Sequence, residues 1–142
     1  IKCGIQNNLK LGNLNAKRDW GYAPEYVDGM WRMLQCNKAE DFVLATGEAH
    51  TVREFADLAF SELGMNLEWT GENENELGVD KSTGNVLIEV DHSYYRPTEV
   101  DELIGDAKKA KEKLGWEPNI KFEELVKIMV QADFEKVKKR GF

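Results

Sequence analysis

Two arginines in rigid, polar surroundings are the residues of this chain best suited to chemistry. Arg18 follows Lys17 within Asn13-Leu14-Asn15-Ala16-Lys17-Arg18-Asp19-Trp20-Gly21, directly ahead of Pro24. Arginine's planar fork matches phosphate oxygens, and a Trp20 wedged against the core would hold that fork in place. The plainer alternative is a surface cation beside a buried tryptophan. Arg96 stands in Tyr94-Tyr95-Arg96-Pro97-Thr98-Glu99-Val100-Asp101, with Glu99 three residues on. There the guanidinium can meet a phosphate while the carboxylate accepts hydrogen bonds from sugar hydroxyls. The plainer alternative pairs Arg96 with Glu99 or Asp101 as a surface ion pair.

Other chemistries lack their residues. No two of the 12 glycines stand two positions apart, so the G-x-G turn that lets a backbone approach a pyrophosphate is missing. None of Tyr22, Tyr26, Tyr94 and Tyr95 has a lysine four residues later, which excludes a Tyr-x-x-x-Lys dyad. Asp80 to Asp91 has the length of a calcium loop, but Asn85 sits where that loop needs glycine. His50 and His92 have no zinc-like spacing to each other or to Cys3 and Cys36, and read as surface or capping residues. Binding chemistry is left.

These side chains need elements to hold them. Pro24 suits the first turn of a helix running to about Gln35, with Val27, Met30, Trp31 and Leu34 on one face. Phe42-Val43-Leu44-Ala45 reads as a short buried strand. Thr51-Val52-Arg53-Glu54 has the form of a capping box, and Val52, Phe55, Ala56, Ala59 and Leu63 form an apolar stripe that Gly64 ends. Leu67-Glu68-Trp69 and Val86 to Val90 are predicted strands that flank an acidic, solvated loop, with turns at Gly78 and Gly84, and are able to pair across it. Asp106 is placed to cap a lysine-rich helix that ends near Gly115. Phe122, Leu125, Val126, Met129, Val130 and Val137 give the face of a last helix. Alternating helices and short strands make the class α/β, or α+β when the chain stands alone, in a single domain spanning residues 1–142.

Taken together, these segments resemble a known family. Leu11 to Gly21, Leu44-Ala45-Thr46-Gly47-Glu48 with His50, and Val52-Arg53-Glu54-Phe55 closely resemble the C-terminal half of the GDP-mannose 4,6-dehydratases. So do Trp69-x-Gly71-x-Asn73-Glu74-Asn75-Glu76, Tyr94 to Asp101, and Lys111-x-Lys113-Leu114-Gly115-Trp116-x-Pro118. The arginine motifs by themselves identify only the extended short-chain dehydrogenase/reductase superfamily, and an epimerase or reductase of nucleotide sugars shares them.

The resemblance implies that this chain is the lid over GDP-mannose, while a preceding Rossmann half carries NADP and the catalytic Thr, Glu, Tyr and Lys. It implies that Arg18 and Arg96 grip the diphosphate, that Glu99 holds the ribose, and that Leu11, Gly12, Asn13 and Lys17 line the guanine end. The implied reaction oxidises mannose at C4, eliminates water across C5 and C6, and returns hydride to C6, giving GDP-4-keto-6-deoxy-mannose. The whole protein is then expected to be a homo-oligomer, and this chain alone catalytically inert. A non-catalytic nucleotide-binding or interaction module, using the acidic segment as its contact surface, is the alternative of another class.

Composition narrows the partners. The formal net charge is −7, and residues 51–100 carry 3 basic against 11 acidic side chains, the opposite of what a phosphate-backbone binder needs. Nucleic acid is therefore not an expected partner. With mean hydropathy −0.55 and no apolar run near the ~18 residues of a membrane span, no membrane partner is expected either. Two cysteines without ligand spacing fit a reducing cytoplasm. The first residue, Ile1, with no signal-like segment after it, suggests a piece of a longer protein.

Overall fold

The computed structural model describes residues 1–96 and 104–140. The chain divides into two units. The first comprises Ile1–Ala16 with the described parts of 51–100 and 126–142, and the second Lys17–His50 with the described part of 101–125.

The first unit is built on a four-stranded sheet. Strands β1 (Leu9–Leu11), β4 (Leu67–Thr70), β5 (Leu77–Asp80) and β6 (Val86–Val90) lie in the order β1-β6-β5-β4. β1 runs parallel to β6 with Leu9 opposite Ile88, and the other pairs are antiparallel. Helix α2 (Val52–Glu62) starts on the expected capping box. The Glu54 amide donates to the Thr51 hydroxyl at 3.1 Å, and the Thr51 amide donates to the Glu54 carboxylate at 2.7 Å. Ala56 and Phe60 on this helix join Leu14, Leu87, Ile88 and Val90 in one apolar core.

Three expectations change here. The predicted strands β4 and β6 do not pair with each other, because β5 lies between them. The acidic stretch is not one solvated loop. Only Asn73–Asn75 forms an exposed 3-10 turn, while Glu76 and Asp80 are buried. Gly78 is a strand residue packed against Trp69 rather than a turn, whereas Gly84 does lie in the turn between β5 and β6.

In the second unit, helix α1 (Ala23–Leu34) and helix α3 (Lys108–Leu114) pack around Trp116, which is fully buried. Gly29 is the buried position of α1. A Cβ there would come within 2.7 Å of Leu44 and 3.0 Å of the Trp116 ring, so only glycine lets the helix sit this close. The Trp116 indole N–H donates to the Glu25 carbonyl at 2.7 Å, and Arg32 donates to the Leu114 and Gly115 carbonyls. Asp106, expected as the cap, stands one residue before the N-cap Ala107, and its carboxylate accepts from the Lys108 amide at 2.8 Å.

The expected apolar face of α1 exists but is not covered. Val27, Met30, Trp31 and Leu34 are exposed, Leu34 at 82%. Phe42–Ala45 is no strand, since no ladder partner stands beside it among the described residues. A short apolar run becomes a strand only when a neighbour takes its N–H and C=O groups.

The two-residue strands β2 (Lys17–Arg18) and β3 (His50–Thr51) pair with each other. The last helix, α4 (Phe122–Arg140), buries Phe122, Leu125 and Val126, while Met129 is exposed and Val130 and Val137 are half-buried.

Candidate functional site

In the first unit the turn after β6 leads to Arg96 and is held at Asp91. The Asp91 amide donates to the Leu11 carbonyl at 2.8 Å, tying the turn to the end of β1, and the Asp91 carbonyl accepts from the Tyr94 and Tyr95 amides. The Asp91 carboxylate accepts from the Ser93 hydroxyl at 2.6 Å and its amide at 2.9 Å. Those bonds, the hydroxyl first, hold the Asp91 carboxyl below its usual range. Lys10 lies 3.6 Å from the same carboxylate.

Gly12 meets this turn directly. A Cβ at position 12 would lie 2.5 Å from the Tyr94 carbonyl oxygen, so the loop and the turn approach as closely as they do only with glycine there. Asn13 shapes the loop beyond. Its side-chain oxygen accepts from the Asn15 amide at 2.9 Å and its carbonyl from Ala16 at 3.3 Å. Leu14 is fully buried and anchors the loop in the core. Leu11, Gly12 and Asn13 are thus brought next to the segment that ends at Arg96, and Arg96 itself is exposed.

Lys17 and Arg18 belong to the second unit. They form β2 rather than an irregular polar loop, because β3 pairs with them. Both side chains are exposed, and Arg18 Nη1 donates to the Lys17 carbonyl at 2.7 Å. The next two residues, Asp19 and Trp20, are firmly held. The Asp19 carboxylate accepts from the Thr46 amide at 3.0 Å, the Thr46 hydroxyl at 2.9 Å and the Gly47 amide at 3.2 Å. Trp20 is half-buried and its indole N–H donates to the His50 carbonyl at 3.0 Å, while the Arg18 side chain that it was expected to hold is exposed. Glu99 lies outside the described residues, as do the alternative partners of Arg96.

The two histidines take structural places. His50 stacks face to face on Phe122 with centroids 3.9 Å apart, and His92 is exposed with Nδ1 3.1 Å from Glu74. Among the described residues no group of three or more His, Cys, Asp or Glu side chains is placed to hold a metal.

Sequence reasoning missed Asp91 and Asn15 as organisers of the site. The Asp-x-Ser spacing of Asp91 and Ser93 is a turn signal that could have flagged the first. Asn15 carries no such signal, because its partner Arg53 is 38 residues away.

A family profile described as GDP-mannose 4,6 dehydratase matches residues 1–129. The GDP-mannose 4,6 dehydratase of Homo sapiens is 57% identical over 135 residues, covering 95% of this chain and 36% of that protein. That of Dictyostelium discoideum is 53% identical over 138 residues, covering 97% and 39%. The chain thus spans about a third of the length of the relatives it matches.

Solved structures share the fold. RMD from Pseudomonas aeruginosa complexed with NADPH superposes with a TM-score of 0.69 at 20% identity, over 95% of this chain and 38% of that one. The dTDP-glucose 4,6-dehydratase of Bacillus anthracis in complex with NAD gives 0.68 at 19%, over 93% and 36%. Both agree with the expected mixed α/β class.

Proposed function

The chain belongs to the GDP-mannose 4,6-dehydratase family, and on that premise we propose that it supplies the substrate-binding surface of an enzyme converting GDP-mannose to GDP-4-keto-6-deoxy-mannose. Arg18 and Arg96 bind the diphosphate, Glu99 the ribose, and Leu11, Gly12, Asn13 and Lys17 the guanine end. The observation that carries this reading is the Gly12–Tyr94 contact, which sets the Leu11–Asn13 loop against the turn leading to Arg96. Exposed guanidinium groups suit a doubly charged ligand, since their planar forks match phosphate oxygens.

Among the described residues, the starts of α1 and α2 do not fit a dinucleotide cofactor. A pyrophosphate commonly sits on a Gly-rich turn at a helix N-terminus, but the N-terminus of α2 already holds the Glu54 carboxylate and α1 begins on Ala23-Pro24. NADP therefore belongs, in this proposal, to other parts of the protein, and so do the residues that move hydride and protons. No reaction step is assigned to the 142 residues, which are expected to be inert alone.

The whole protein is proposed to act as a homo-oligomer in the cytoplasm, without nucleic acid or membrane partners. No helix among the described residues is long and apolar enough to cross a membrane.

Each charge-assisted arginine contact contributes about 1.5–3 kcal/mol. Arg18→Ala or Arg96→Ala in the full-length protein should therefore weaken GDP-mannose binding by roughly 10- to 100-fold. Titration calorimetry reads this directly, and unchanged affinity in both variants overturns the assignment.

A further inference from the structure

Arg53 is a motif residue that the substrate reading leaves without a role, and the structure gives it four partners. It is the second residue of α2, where the first amides of a helix lack intrahelical acceptors. The capping box satisfies the amides of Thr51 and Glu54. The Val52 and Arg53 amides donate instead to the Ala16 and Leu14 carbonyls, at 3.1 and 2.9 Å. The loop that carries Leu11, Gly12 and Asn13 is therefore docked by its backbone onto the start of α2.

The Arg53 side chain then returns to the same loop. Its Nη2 lies 2.6 Å from a Glu76 carboxylate oxygen and donates to the Asn15 side-chain oxygen at 3.1 Å. The guanidinium stacks over Trp69, 4.7 Å from the ring centroid, and the Trp69 indole N–H donates to Asp57 at 2.9 Å. Glu76 is 9% exposed, and Arg53 is its ion-pair partner. The guanidinium ties α2, β4, the residue preceding β5 and the loop into one cluster of the first unit.

We propose that Arg53 is the positioning residue of loop 11–16: held by Glu76 and Trp69, it fixes the loop through Asn15 and the Leu14 carbonyl without touching the substrate. The role rests on the substrate reading above. It predicts an effect on binding rather than on chemistry, and an effect that neutralising the pair does not repair.

The test uses the full-length protein with GDP-mannose as the probe. Arg53→Met leaves the Glu76 charge unpaired and can impair folding, so the informative variant is R53M/E76Q, which removes both charges together. We expect R53M/E76Q to keep wild-type circular dichroism, to raise KM by about 10- to 50-fold and to keep kcat within about twofold. R53K, which keeps the ion pair but lacks the planar fork, should recover part of the KM.

In the same double variant the backbone amides at positions 52 and 53 should exchange hydrogen about tenfold or more faster, while Ile88 in the core strand is unchanged. A wild-type KM in R53M/E76Q reduces Arg53 to a counter-ion and overturns the proposal. So does a fall in kcat at constant KM, or unchanged protection at positions 52 and 53. If the wild-type protein does not bind GDP-mannose, the substrate reading fails by itself, and hydrogen exchange alone decides whether Arg53 holds the loop.

Discussion

Tyr26 shows how closely side chains are held in the second unit. Its ring stands edge-on to Trp116 with centroids 5.6 Å apart, and its hydroxyl donates to Asp19 at 3.4 Å. Burial, then the Asp19 charge and its hydrogen bond, push the phenol up from 10.0 to about 12. Because the folded value is raised, the associated stability is fully present below pH 10.0 and is lost as the pH climbs through about 12. We expect an ultraviolet titration to show an ionisation at about 12 that Tyr26→Phe removes. Tyr26→Phe should flatten the loss of stability across that window relative to wild type, and parallel curves for the two proteins would contradict the assignment.

At this scale, the types of the proposed binding residues are readable from the sequence but their companions are not. Arg18 and Arg96 stand out as cations in stiff polar segments. The Arg53–Glu76–Asn15 cluster does not, because residues far apart in the chain meet only once the sheet has formed.

Among the elements, α2 rests on the most local signal and makes the most local prediction. Thr51 satisfies one orphan amide with its hydroxyl and lends its own amide to Glu54. Thr51→Ala should cost about 1 kcal/mol, read as a lower denaturant midpoint, and Thr51→Ser should recover most of it. An unchanged midpoint in the alanine variant would show that the cap does not limit stability.

Helices were legible because caps and 3.6-residue periodicity are written within one turn of chain. Strands were not. Leu77-Gly78-Val79-Asp80 looks like turn sequence and becomes β5 only because β4 and β6 lie on either side of it. Phe42–Ala45 looks like a strand and is none for the converse reason. Strand formation depends on a neighbour that the local sequence does not contain.

For the molecule as a whole, the most consequential surface lies on α1. Four large apolar residues at helical spacing face outward, with Val43 also exposed in the same unit. Scattered apolar side chains on a surface are ordinary, but a contiguous helical stripe promotes association. The 142-residue chain in isolation is expected to self-associate as its concentration rises, and Leu34→Lys with Val27→Glu should return it to a monomer in sedimentation velocity. A concentration-independent monomer for the unaltered chain would refute this. The periodicity of that stripe was readable from the sequence, but its exposure was not, since a sequence pattern marks an apolar face without saying what lies against it.

The same stripe gives the protein an optical gauge of its own. Trp31 is 60% exposed on α1, whereas Trp116 is 1% exposed with its indole N–H engaged. Acrylamide should therefore quench the red-edge emission of Trp31 and spare the blue emission of Trp116. Whatever comes to cover α1 would then announce itself as a shift of Trp31 toward shorter wavelengths, with no label attached.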